Sequence, residues 1–242
     1  MDKKFINFRK ESIKKLGKSK KFKKLGIEFM EKTGHYFYSY NFDWLGLPII
    51  QFPQDIIALQ EIIWKTKPNL IIETGVARGG SLIFYASMLK LIDINGLVIG
   101  IDIDIRKKNR KAIEVHLLHK HIHLIEGSSV EDSVVKQVRQ FSKKFKSTMV
   151  ILDSNHICEH VFRELELYNE FVTKGCYCVV MDTVIDDMPE NYYSDREWGK
   201  NNNPKTAVHK FLKVNKRFVI DEEIHSKLLV TGTTDGYLKC IK

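Results

Sequence analysis

Five short apolar runs in this chain each end in an acid, and helix-like segments separate them. The runs are Leu70–Glu73, Leu97–Ile101 before Asp102, His121–Ile125 before Glu126, Thr148–Leu152 before Asp153, and Cys176–Met181 before Asp182. Short apolar runs bounded by turn signals read as buried strands. Between and around them, Gln54–Lys65 (with Pro53 at its start), Ser81–Leu91, Arg106–His119, Val130–Phe145, His160–Phe171 and Lys205–Val214 read as helices. Such alternation predicts an α/β fold, a central mostly parallel sheet with helices on both faces. Ligands of such sheets sit beyond the carboxyl ends of the strands, which places Glu73, Asp102, Glu126, Asp153 and Asp182 along one rim. Phe218–Ile220 and Lys227–Val230 are strand-like, and Gly236–Ile241 is expected to close the sheet as a hairpin with the segment before it.

The first strand runs straight into Thr74-Gly75-Val76-Ala77-Arg78-Gly79-Gly80-Ser81. Glycines at a strand-to-helix turn let the backbone approach a nucleotide-like ligand. The turn lacks the Lys-Ser/Thr ending of a P-loop, and Glu73 at its mouth would repel a polyphosphate. S-adenosylmethionine brings an ammonium and a sulfonium, which a carboxylate attracts. Asp102 follows Gly80 by 22 residues, near the offset of about 20 at which an acid meets a cofactor ribose. NAD sites share that spacing, so an NAD(P)-dependent oxidoreductase stays open on the spacing alone.

Near the other strand ends, Asp153 and His156 share one turn and Asp182 ends the neighbouring strand. Two carboxylates at adjacent strand ends can hold a hard divalent cation with waters completing the shell. An imidazole beside them can take a proton at neutral pH. The run His116, His119, His121, His123 looks metal-like in composition, but a helix end passing into a strand points such residues apart. Thr183 to Pro204, with Tyr192, Tyr193 and Trp198, is a long irregular stretch expected to form a lid over an acceptor.

Charge divides the chain in two. Residues 1–25 hold eleven Lys/Arg and two acids, so the whole net charge of +9 sits there and the remainder is balanced. A balanced body argues against a nucleic-acid partner. The organisation expected is a basic arm over residues 1–30 and one domain over residues 31–242. The arm reads as a solvated, partly ordered tail, with Gly17 and Gly26 interrupting any long helix. Phe5, Phe8, Ile13, Leu16 and Phe22 among its lysines allow a peripheral contact with an anionic membrane. The arm lacks the apolar stretch of a signal peptide, and no run reaches the ~20 residues of a membrane span. Four cysteines without a CxxC fit a reducing compartment. A cytoplasmic protein is expected, peripheral to the inner face of the membrane where the arm engages it.

Glu73–Ser81, Gly100-Ile101-Asp102-Ile103-Asp104, Leu152–His156, Asp182-Thr183 and Asn203–Val208, read in order, resemble the cephalosporin hydroxylase (CmcI-type) and rhamnosyl O-methyltransferase family. The resemblance runs from about Trp44 to Lys239. It implies a Rossmann-like class I methyltransferase using S-adenosylmethionine and Mg²⁺. It further implies that Glu73, Gly75, Gly79 and Ser81 touch the methionine part, Asp102 the ribose, and Gly127, Ser128 and Ser129 the adenine. Asp153 and Asp182 would bind Mg²⁺, with His156 as base and Asp153 sharing in catalysis. Relatives often carry Glu-Asp-Thr where this chain has Met181-Asp182-Thr183, and a thioether is a poor Mg²⁺ ligand. Asp186, Asp187 or water is left to take that place, or the metal is absent and catalysis rests on His156 and positioning alone. The expected activity is methyl transfer to a hydroxyl of a sugar or glycoconjugate, and the expected partners are that small-molecule or glycan acceptor and further copies of the chain. A methyltransferase-like binding protein without catalysis is the rival that Met181 supports.

Overall fold

The computed structural model describes residues 2–242. Two helices, α1 (Lys3–Lys18) and α2 (Lys20–Gly34), precede a short antiparallel pair, β1 (Asp43–Trp44) and β2 (Leu47–Pro48). The body then alternates: α3 (Pro53–Thr66), β3 (Leu70–Thr74), α4 (Gly80–Leu91), β4 (Leu97–Asp102), α5 (Lys107–Glu114), β5 (Ile122–Glu126), α6 (Asp132–Ser142), β6 (Thr148–Leu152), α7 (Cys158–Tyr168) and β7 (Tyr177–Val180). α8 (Pro204–Val214), β8 (Phe218–Ile220), α9 (Glu222–Lys227) and β9 (Tyr237–Cys240) complete it.

The main sheet has the order β5-β4-β3-β6-β7-β9-β8, parallel except at β9, which runs antiparallel to both neighbours. The strands are apolar on both sides because both sides are covered. α3, α4, α5 and α9 supply side chains to one core, and α6, α7 and α8 to the other. The strand order reverses between β3 and β6, and that switch point opens the crevice where such sheets take their ligands.

Three expectations need correction. Lys227–Val230 is not a strand. α9 occupies its start, capped by the Asp221 carboxylate on the amides of Glu223 and Ile224. The last strand therefore makes no hairpin with that segment but inserts between β7 and β8. The arm is not a partly ordered tail, because α1 and α2 dock on the body and the 30/31 boundary falls inside α2. The helix break comes at Ser19, whose hydroxyl caps α2 through the Phe22 amide. Gly17 and Gly26 are instead points of close approach, where a Cβ would strike Ser226 and the Leu229 carbonyl.

Candidate functional site

The turn after β3 is built on positive φ at Gly75, Ala77 and Gly79. Gly75 is required twice over: its φ is +93°, and a Cβ would collide with the Asp153 carbonyl at the end of β6. Asp102 holds the turn in place. One of its oxygens accepts from the amides of Val76 (2.8 Å) and Ala77 (3.3 Å), the other from the Asp104 amide. Asn109 on α5 donates to the Ala77 carbonyl at 2.6 Å.

Glu73 lies elsewhere than the sequence suggested. It is 0% exposed, beneath the turn rather than at its mouth. It accepts from Ser81 Oγ at 2.6 Å and Tyr85 Oη at 3.0 Å, both on α4. Desolvation, with a smaller push from Asp102, raises its pKa to about 8. Glu126 stays on the rim, in register with Asp102 at the end of β5, and pairs with Arg110 at 2.8 Å.

Two shallow depressions flank the turn. One is lined by Gln51, Gly75–Ser81 and Asp153. Gln51 is buried, and neither amide atom has a partner. The other is lined by Asp102, Ser128, Ser154, Asn155 and His160, with Ser129 bonded to His160 at 3.2 Å. Ser154 in turn donates to the buried Glu164.

Beyond β6 and β7 lies a cleft of about 400 Å³. His156 and Asp182 line its floor, with His156 Nδ1 3.4 Å from Asp182 Oδ2. The imidazole meets the edge of Trp198 at 4.8 Å. The walls are aromatic: Phe37, Tyr38 and Tyr40 from the segment after α2, Tyr192, Tyr193 and Trp198 from the stretch after β7. That stretch opens with a 3-10 turn, Thr183–Asp187, and does border the cleft. Its base is tied by Asp186, which accepts from Asn201 N and Asn203 Nδ2.

Asp153 accepts no hydrogen bond through its carboxylate among the described residues. Burial raises its pKa well above the usual range, and Asp182, Glu73, Glu164 and Asp55 push the same way. Neither Asp186 nor Asp187 stands in for the oxygen lost at Met181. Asp186 serves the lid, and Asp187 pairs with Lys205 at 2.8 Å. Met181 itself packs into the core, its sulfur accepting from Thr233 Oγ1 at 3.4 Å. Among the described residues no three Asp, Glu, His or Cys side chains converge as a metal cage. The histidine run separates, His116 bonding the Leu45 carbonyl and His123 packing at a tilt against Phe141.

Sequence reasoning missed Gln51, Asp55, Tyr85, His160 and Glu164. Asp55 is buried on α3 and accepts from Thr231, Tyr237 and the Gly232 amide. The spacing of Ser81 and Tyr85, four apart on the helix after the turn, was the one local signal for the Glu73 pocket.

The switch-point crevice, the glycine turn and the acid ending β4 define a Rossmann-like fold for a nucleoside cofactor. The chain superposes on a CmcI structure solved with magnesium and S-adenosylmethionine at TM-score 0.60, with 19% identity, covering 84% of this chain and 78% of that one. It also superposes on a Bacillus cereus O-methyltransferase solved with S-adenosylhomocysteine at TM-score 0.53, with 13% identity and 96% of each chain covered. The family model for rhamnosyl O-methyltransferase/CmcI matches residues 36–241, and the chain belongs to that family. The rhamnosyl O-methyltransferase of Mycobacterium leprae is 29% identical over 147 residues, 60% of this chain. That match spans 62% of the relative's length.

Proposed function

We propose that this chain is an S-adenosylmethionine-dependent O-methyltransferase acting on a hydroxyl of a sugar or glycoconjugate, with a divalent cation at the strand ends. The observation that carries the reading is the adjacency of two sites. The depression along the turn held by Asp102, which Asp153 helps to line, shares Ile50 with the cleft floored by His156 and Asp182.

The residues fit the cofactor. The unpartnered amide of Gln51 faces the glycine turn, where an ammonium and a carboxylate would satisfy both of its atoms. Gly75 and Gly79 give the turn its left-handed φ and let it pack against the Asp153 carbonyl and Ile113, and Ser81 presents a hydroxyl held from below by Glu73. Asp102, which already accepts from three amides, keeps about one of its four lone-pair sites for a ribose hydroxyl, and Ser128 and Ser129 border the far depression. Bound there, S-adenosylmethionine supplies an electrophilic methyl group.

The residues also fit a loosely held Mg²⁺. Asp153, unpartnered and crowded by carboxylates, and Asp182 offer two oxygens, and water would complete the shell. Such an ion lowers the pKa of a bound hydroxyl. In the cleft, His156 uses Nδ1 toward Asp182, which leaves Nε2 to receive the acceptor proton. Trp198 fixes the ring and, with Tyr192 and Tyr193, offers faces on which a sugar ring packs. The basic arm meets an anionic membrane in this reading.

Calorimetric titration with S-adenosylhomocysteine and with NAD tests the cofactor; binding of NAD alone would turn the assignment to an oxidoreductase. Transfer of labelled methyl to a panel of glycoside acceptors tests the reaction. His156→Ala is expected to keep S-adenosylhomocysteine affinity and lose roughly 10²–10⁴-fold in turnover. Unchanged turnover would make His156 structural.

A further inference from the structure

The apolar side chains of the arm fall into two sets. One set docks. Ile6, Ile13 and Leu16 of α1 are half-buried, and α1 lies along α9, with Gly17 against Ser226. α2 packs through Gly26 on the Leu229 carbonyl and through Met30, and Lys23 Nζ meets His225 Nε2 at 3.1 Å. The other set faces solvent. Phe22, Leu25 and Phe29 are exposed, and their spacing of three and four residues aligns them on one stripe of α2. Phe5 and Phe8 are exposed on α1 and stack on each other. The stripe leads to the cleft, since Phe29 meets Tyr38 edge-on at 5.4 Å. Phe37 and Tyr40 there are 65% and 57% exposed and line the cleft mouth. Phe37 holds a left-handed φ of +51°, a strained backbone that sets an aromatic ring in solvent.

We propose that α1 and α2 form a docking surface for an anionic lipid bilayer, seating Phe22, Leu25, Phe29, Phe37 and Tyr40 in its interface so that the cleft with His156 opens at the membrane. What the cleft does rests on the function proposed above; the docking does not. Charge selects the occupant. Residues 1–25 carry the entire net +9 beside these apolar groups, and amphipathic helices with lysine flanks lie on anionic lipid through both terms. A second copy would set one strongly basic arm against another or against a body close to neutral. Ten of the arm's eleven cations are lysines, whereas arginine is the usual choice for nucleic acid. α2 presents its stripe outward while its Met30, Thr33 and Gly34 line the cleft. One helix therefore couples membrane contact to the acceptor site.

The test is flotation of the full chain with phosphatidylcholine vesicles, with and without about 30% phosphatidylglycerol. Partition at least about tenfold tighter to the anionic vesicles is expected. Phe22→Ser/Leu25→Ser/Phe29→Ser keeps every charge and is expected to lower that partition at least about tenfold. Its melting temperature and S-adenosylhomocysteine affinity should stay unchanged. All four native cysteines are buried, so Tyr40→Cys can carry a polarity-sensitive dye. Its emission is expected to shift blue on anionic vesicles, and that of the same dye at Lys143→Cys to stay constant. Equal binding to both vesicle types, full binding by the triple variant, or displacement by polyuridylate that ignores the stripe would each overturn the proposal. So would a dimer in solution that the triple variant dissociates. None of these measurements involves methyl transfer, so failure here and failure of the enzymatic reading are separate results.

Discussion

Glu73 lies one strand period from Ile71, on the side of β3 that faces α4. Desolvation there raises its pKa from 4.5 to about 8 against the pull of the Ser81 and Tyr85 hydroxyls. Between those values the folded chain keeps a proton that the unfolded chain has released. Stability therefore falls as pH rises through this window, by up to about 1.4 kcal/mol per pH unit, and levels off above it. Asp55, raised from 3.8 to about 6, contributes with the same sign lower down. Glu73→Gln keeps the volume and removes the titration. Urea midpoints measured from pH 6 to 9 are expected to slope less steeply in the variant, with Asp153 supplying what slope remains; identical slopes would exonerate Glu73. Asp102 does two jobs at once, holding the turn amides and facing the proposed ribose. A hydrogen bond to a charged group contributes about 1.5–3 kcal/mol. Asp102→Ala is accordingly expected to weaken S-adenosylhomocysteine by roughly 10–150-fold, and unchanged calorimetric affinity would remove the ribose role.

At the scale of elements, the ends of β6 and β7 set the metal question. Asp153 N is tied to the Thr74 carbonyl, and Met181 N to the Leu152 carbonyl, so neither strand end is free to drift. Two carboxylates at adjacent strand ends, where Asp182 pushes the Asp153 pKa up, favour a proton or a cation between them. With Met181 turned into the core, the protein offers two oxygens, and affinity should be weak. EDTA is expected to abolish most activity, and excess Mg²⁺ to restore it and to raise the melting temperature by a few degrees. Asp153→Asn should lose the thermal response, and full activity after exhaustive chelation would leave both acids as substrate or cofactor contacts. These strand ends were legible in the sequence, because strands covered on both faces are short apolar runs and acids mark where they stop. The side each acid takes was not read, although alternation along β3 puts Glu73 with Ile71. Gln51 and Asp55 escaped because they enter from elements before the turn. β9 was misjudged because its partners β7 and β8 are distant in sequence. α9 carried its own signal, Asp221 followed by Glu222 and Glu223, an acidic cap that was passed over.

For the whole molecule, the arm decides what the cleft looks like. Gly34 at the end of α2 lies so close to the Tyr192 hydroxyl that a Cβ there would strike it, and His35 meets the same ring at a tilt, with centroids 5.8 Å apart. The lid and the arm are therefore two sides of one opening. Glycine in mid-helix looked like an interruption, because helix propensity is local and docking is not. The contact that needs Gly26 comes from Leu229, about two hundred residues further on. Gly26→Val gives a direct test. The added carbon would strike the Leu229 backbone carbonyl, which cannot rotate away as a side-chain tip can, so α2 must lift. Loss of this packing is expected to cost about 1–3 kcal/mol, or roughly 2–10 °C of melting temperature for a chain of this size. The local consequence is the sharper one. With α2 lifted, trypsin should cut within residues 1–34 well before the body, at lysines that the docked helices protect. Mass spectrometry of a timed digest reads the order of cuts. Equal protection of the arm in Gly26→Val and the parent chain would mean that α1 against α9 alone holds it down.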